Sequence, residues 1–97
     1  MESASRIKVL LVERDEENYL ILHDLLRSAE GRVFDLDWVT MYGVALARLC
    51  ENQYDVCLLD YSLGNANGLD LLREAIEGGS KTPTILLTEK EDLTVDI

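Results

Sequence analysis

The sequence predicts an α/β fold built on a parallel, doubly wound sheet with helices on both faces. Three observations carry this. Short apolar runs alternate along the chain with segments whose apolar residues recur at helical spacing. Two runs, Ile7–Val12 and Val56–Leu59, are almost continuously apolar, as strands covered on both faces are. Strand and helix segments follow one another in turn, so successive strands run parallel through right-handed crossovers.

Each element has its own signal. Residues 1–6 form a polar leader, and the first strand follows. The acidic stretch Glu13–Glu17 opens the first helix, where the helix dipole favours carboxylates. Tyr19, Leu22, Leu25, Leu26 and Ala29 recur on one helical face, and Gly31 stops the helix. Phe34, Leu36 and Trp38 alternate with Asp35 and Asp37, which predicts a half-exposed edge strand. Thr40 is placed to cap a second helix carrying Val44, Ala45, Leu46 and Leu49.

The second buried strand, Val56–Leu59, ends at Asp60. Gly64-Asn65-Ala66-Asn67-Gly68 is turn chemistry, and Leu69, Leu72, Ala75 and Ile76 make a third helix closed by Gly78-Gly79. Ile85-Leu86-Leu87 is the last strand. Thr88-Glu89-Lys90-Glu91 is a capping-box pattern for a further helix.

At 97 residues the chain is one domain, and 47% hydrophobic residues suffice for a core. Nine Lys and Arg against nineteen Asp and Glu give a net charge of −10. Such a chain gains nothing from counterion release on a phosphate backbone, so nucleic acid and anionic membrane surfaces are disfavoured partners. Cys50 and Cys57 make neither a metal spacing nor a CxxC motif, and Cys57 reads as a small core residue. With no signal peptide and no run long enough to span a membrane, the expected location is the cytoplasm.

In a sheet of this kind ligands bind beyond the carboxyl ends of the strands. Those ends are marked by Glu13-Arg14-Asp15, by Asp60-Tyr61-Ser62 and by Thr88. A carboxylate at such a rim can bind a hard cation, or attack a phosphoryl group to give an aspartyl phosphate. The Thr88 hydroxyl can then bond a phosphoryl oxygen. Taken singly, an Asp at a strand end is commonly just loop polarity, and Thr88 commonly just a helix cap. The specific signal is that the three fall on strand ends that converge. Nucleotide binding fits poorly, because the first strand-to-helix loop has no glycine and carries Glu13, Asp15, Glu16 and Glu17. No Ser/His/Asp or Cys/His arrangement is present, and His23 reads as a surface residue.

These segments resemble the receiver domains of two-component response regulators. Lys8-Val9-Leu10-Leu11-Val12-Glu13 resembles their first strand and acidic corner, and Asp55-Val56-Cys57-Leu58-Leu59-Asp60 their phosphoacceptor strand. Asn67-Gly68-Leu69-Asp70-Leu71-Leu72 resembles the following turn and helix, and Ile85-Leu86-Leu87-Thr88 the fourth strand and switch hydroxyl. The likeness runs from about Arg6 to Thr88. It implies a flavodoxin-like sheet of strand order 2-1-3-4. It also implies that Asp60 is the phosphoacceptor and Thr88 the switch hydroxyl. Mg²⁺ would be held by Glu13, Asp60 and the Ser62 backbone carbonyl. The implied phosphoryl donor is a phosphohistidine on a sensor histidine kinase or phosphotransfer protein docking beside the first helix.

The sequence departs from that pattern in several places. Arg14 stands where the second acid of the pair belongs. Arginine has no acceptor atom and stays protonated, so Mg²⁺ is expected to bind weakly or not at all, with Arg14 pairing to Asp60 instead. Asp15, one residue on, is a lesser candidate to compensate. Gly64 stands where the family usually has Pro. The family's last strand, with its Lys, and its last helix have no counterpart, so the chain reads as a truncated receiver.

The expectation is therefore a signalling or interaction domain of a phosphorelay, not an enzyme, with weakened phosphotransfer. The alternative is a fully working phosphoacceptor of which this is a fragment or variant. A flavodoxin-like cofactor binder is a weaker reading, against which the acidic, glycine-free first loop speaks. The apolar last strand, left as an edge, predicts a dimer or larger homo-oligomer.

Overall fold

A computed structural model describes residues 5–88. The elements in chain order are β1 (Ser5–Val12), α1 (Glu16–Ser28), β2 (Arg32–Val39), α2 (Tyr42–Cys50), β3 (Val56–Asp60), β4 (Ser62–Leu63), β5 (Ala66–Asn67), α3 (Gly68–Glu77) and β6 (Thr84–Leu87). Four of the strands form one parallel sheet in the order β2-β1-β3-β6, and β4 and β5 pair as a short antiparallel hairpin. The expected order of four strands is thus the observed one, with β6 as the fourth. The chain steps outward from β1 to β2 and then returns past β1 to β3. The direction of winding reverses between β1 and β3, which is where such sheets open a crevice at their carboxyl ends.

Register divides the apolar residues between two faces. Leu10 pairs with Cys57 and Val12 with both Leu59 and Val39, which puts all five on one face. There they pack with Ala45 and Leu49 of α2, Leu71 and Ala75 of α3, and Leu63 of the hairpin. Cys57 lies in this core as expected, and burial pushes its thiol up to about 12. On the opposite face Val9 and Leu11 stand beside Val56 and Leu58, and the Tyr19 ring of α1 stacks on Trp38 of β2 at 4.1 Å.

This second face is less complete. Val9 and Leu11 are buried, yet no residue of α1 is, and Ile21, Leu25 and Ile85 are 58%, 62% and 54% exposed. Leu25 was expected in the core by its spacing. It shares the helical stripe with Leu22 and Leu26, which are half-buried, but lies on the stripe's open margin.

Local expectations at the helix ends are also corrected. Thr40 does not cap α2. The chain stays extended through Met41, so the helix starts one residue later and its N-cap has no side-chain hydrogen bond. Helix α1 ends at Ser28, before Gly31, whose φ of +82° lets the backbone turn into β2. Beyond Thr88, the rest of the expected capping box, Glu89–Glu91, lies outside the described residues.

Candidate functional site

The carboxyl rim of the sheet is built by backbone pinning. At the end of β1, Glu13 N–H donates to the Val39 carbonyl at 3.1 Å, and the Trp38 indole N–H donates to the Glu13 carbonyl at 2.7 Å. The stacked Tyr19 fixes the same indole from α1. At the end of β3, Tyr61 N–H donates to the Leu87 carbonyl at 2.9 Å, and Gly68 N–H donates to the Tyr61 carbonyl at 2.6 Å. Gly68 is required by space. A Cβ there would lie 2.5 Å from the Asp60 carbonyl oxygen, so only glycine lets α3 start this close to β3. Asn67 caps that helix, accepting from Asp70 N–H at 2.8 Å.

Three strand ends thereby converge. Glu13, Asp60 and Thr88 line one open cleft of about 340 Å³ together with Asn18, Ile21, Leu22 and Leu87. Glu13 is only 3% exposed, Asp60 is half-buried and Thr88 is exposed. Ser62 stands at the same rim, where its N–H makes a long contact of 3.4 Å with Asp60 Oδ1. A second cleft of similar size, between α1 and β2, is lined by Tyr19, His23, Arg27 and Arg32, away from these carboxylates.

Electrostatics at the rim are strained. Burial of Glu13 raises its pKa above the ordinary carboxylate range, and the neighbouring Asp60 charge raises it further. Hydrogen bonds to Glu13 Oε2 from Asp15 N–H, at 3.1 Å, and from the Asn18 amide, at 3.5 Å, oppose that rise.

Two expectations about charge fail. Arg14 forms no ion pair with Asp60 or with any other described residue. Its guanidinium lies instead against Gly64, in the turn between β4 and β5. Asp15 does not stand in for the missing acid either, because its carboxylate is the N-cap of α1 and accepts from Glu17 N–H at 3.0 Å. Among the described residues no three His, Cys, Asp or Glu side chains come together as a metal-binding group. Among the described residues Glu13 and Asp60 are the only carboxylates lining the cleft, and the residue between Glu13 and the α1 cap is a cation. This donor set does not fit Mg²⁺ well.

Sequence reasoning missed Asp55, which pins the other end of the sheet. Its carboxylate accepts from Lys8 N–H at 2.8 Å, and its own N–H donates to the Lys8 carbonyl at 2.8 Å. The signal available was an acid directly preceding a buried strand.

No described helix is long and apolar enough to cross a membrane. The family described as response regulator receiver domain matches residues 9–97. The chain is 36% identical over 85 residues to the response regulator ArlR of Staphylococcus saprophyticus, covering 88% of this chain and 37% of that one. It is 30% identical over 88 residues to the transcriptional regulatory protein QseB of Escherichia coli O157:H7, covering 90% and 38%. The chain therefore spans little more than a third of the length of these curated relatives. Among solved structures, a mutant MaeR response regulator bound to sulfate superposes with a TM-score of 0.74 at 21% identity, covering 95% of this chain and 80% of that one. Fold, converging strand ends and family match agree, and the chain belongs to the response regulator receiver domain family of two-component signalling.

Proposed function

We propose that the chain is a receiver module in which Asp60 accepts a phosphoryl group from a phosphohistidine on a sensor histidine kinase or phosphotransfer protein. One observation carries this reading: Glu13, Asp60 and Thr88 arrive from three separate strand ends and line one open cleft. Asp60 is the nucleophile, since it is the more exposed of the two carboxylates and stands at the mouth of the pinned β3 end. The Thr88 hydroxyl bonds an oxygen of the transferred group. Transfer is slower than at a site with a full acidic pair, because phosphoryl transfer depends mainly on charge neutralisation and Arg14 replaces a metal ligand. The chain is a substrate of its partner rather than an enzyme, and works in the cytoplasm, where such a donor would be found.

The donor docks along α1, whose exposed Ile21 lines the cleft and whose Leu20 and Leu25 are exposed as well. In the described sheet β6 is an edge strand with Ile85 half-exposed, which supports self-association there. Incubation with acetyl phosphate followed by intact mass measurement tests the main reading. The expected result is addition of one phosphoryl group to the wild type and none to Asp60→Asn. Labelling that survives Asp60→Asn would overturn it.

A further inference from the structure

Two positions at which the described residues depart from the receiver pattern touch each other. Arg14 stands where an acid is usual, and Gly64 where Pro is usual. The Arg14 side chain crosses from the end of β1 to the turn between β4 and β5, and its guanidinium occupies the space a Gly64 side chain would fill. A Cβ on Gly64 would collide with Arg14 Nη1 and would lie 2.9 Å from Cζ and 3.5 Å from Nε. Glycine serves twice at this position: its φ of +76° is left-handed, and its missing side chain makes the seat.

The seat belongs to a fixed loop. It begins at Asp60 and is held by the Tyr61–Leu87 and Gly68–Tyr61 backbone bonds and by the Asn67 cap. Arg14 is the only cation among the described residues at the carboxyl ends of β1, β2, β3 and β6, and no described acid pairs with it. Asp15 is engaged as a helix cap and Glu13 by Asp15 N–H and Asn18. A positive charge from the end of β1 thus rests on the loop that begins at Asp60, against a glycine four positions after that carboxylate.

We propose that Arg14, seated on Gly64, binds the phosphoryl group at Asp60, so that this receiver takes up a phosphoryl group without a divalent cation. The proposal rests on Asp60 being the acceptor. A guanidinium suits the task, because its planar fork matches two oxygens of a phosphoryl group and it stays charged. With acetyl phosphate as donor, an Asp60 carboxylate oxygen bonds to phosphorus as the bond from phosphorus to the acetyl oxygen breaks. Acetate leaves as the anion, so no proton has to move.

The test is the initial rate of Asp60 labelling by acetyl phosphate, in Mg²⁺ and in EDTA, for the wild type, Arg14→Ala, Arg14→Asp and Gly64→Ala. The wild-type rates should agree within about twofold, and Arg14→Ala should lower both by about a hundredfold, the lower end of losses seen when a charge-stabilising donor is removed. Arg14→Asp should be slow in EDTA and recover in Mg²⁺. Gly64→Ala, with folding checked by circular dichroism, should resemble Arg14→Ala because it evicts the guanidinium. Wild-type labelling that needs Mg²⁺, or an Arg14→Ala rate equal to the wild type, overturns the role of Arg14 and leaves Asp60 as acceptor. No wild-type labelling under either condition overturns both.

Discussion

Glu13 shows how one residue carries the tension of the site. It is nearly inaccessible, it faces Asp60, and it has lost the metal ligand expected beside it. Its raised pKa means that the folded state holds the Glu13 proton more tightly than the unfolded chain does. That contribution to stability is fully present below the ordinary carboxylate pKa and is lost as pH rises through the raised value. Glu13→Gln, which keeps an acceptor for Asp15 N–H, should therefore stabilise the protein at pH 7 by about 1 kcal/mol, the usual scale of gain when a functional site is relaxed. Urea denaturation at several pH values checks this, and the gain should shrink toward acid pH. The convergence of Glu13, Asp60 and Thr88 was legible because each ends an apolar run, and strand ends in a parallel sheet share one rim. The orientation of Arg14 was not legible. Opposite charges suggested a pair with Asp60, whereas the seat that holds the guanidinium comes from a glycine fifty positions away, which sequence proximity does not reveal.

At the scale of elements, helical periodicity located the three described helices, apolar runs located β1, β3 and β6, and alternation located β2. Periodicity could not say how deeply each helix is buried. Helix α3 places Leu71 and Ala75 in the core, while α1, with a longer apolar stripe, buries nothing completely. Depth depends on what else covers the sheet face, and the spacing within one helix does not record that. Leu71→Ala should cost about 2–5 kcal/mol, as deletion of a fully buried leucine does. Leu25→Ser should stay within about 0.5 kcal/mol, as exposed substitutions do. Thermal denaturation of the two variants separates them, and a large loss for Leu25→Ser would mean that α1 is packed more deeply than its exposure indicates. The Thr40 cap failed for a local reason: a hydroxyl can cap only the helix that starts at the next residue, and α2 starts one later. The small hairpin β4–β5 was read only as turn chemistry, since two-residue strands have no periodicity to detect.

For the molecule as a whole, the parallel sheet puts the carboxylate rim at one end and its core under α2 and α3, and among the described residues the face under α1 is thinly covered. Among the described residues β6 is an edge strand, and its exposed Ile85 borders that face. Self-association there should appear as a mass that rises with concentration in light scattering, and Ile85→Lys should reduce it, because a charge on an edge strand opposes pairing. A monodisperse monomer at high micromolar concentration would remove the assembly claim without touching the site. The claim on which the functional account turns is that Asp60, among all the acids of this acidic chain, takes the phosphoryl group. Borohydride reduction of the acetyl phosphate-treated protein converts an aspartyl phosphate to homoserine, and peptide mass mapping then reads its position directly. The account predicts homoserine at position 60 alone; homoserine at Asp15 or Asp55, or none at position 60 in a labelled protein, would contradict it.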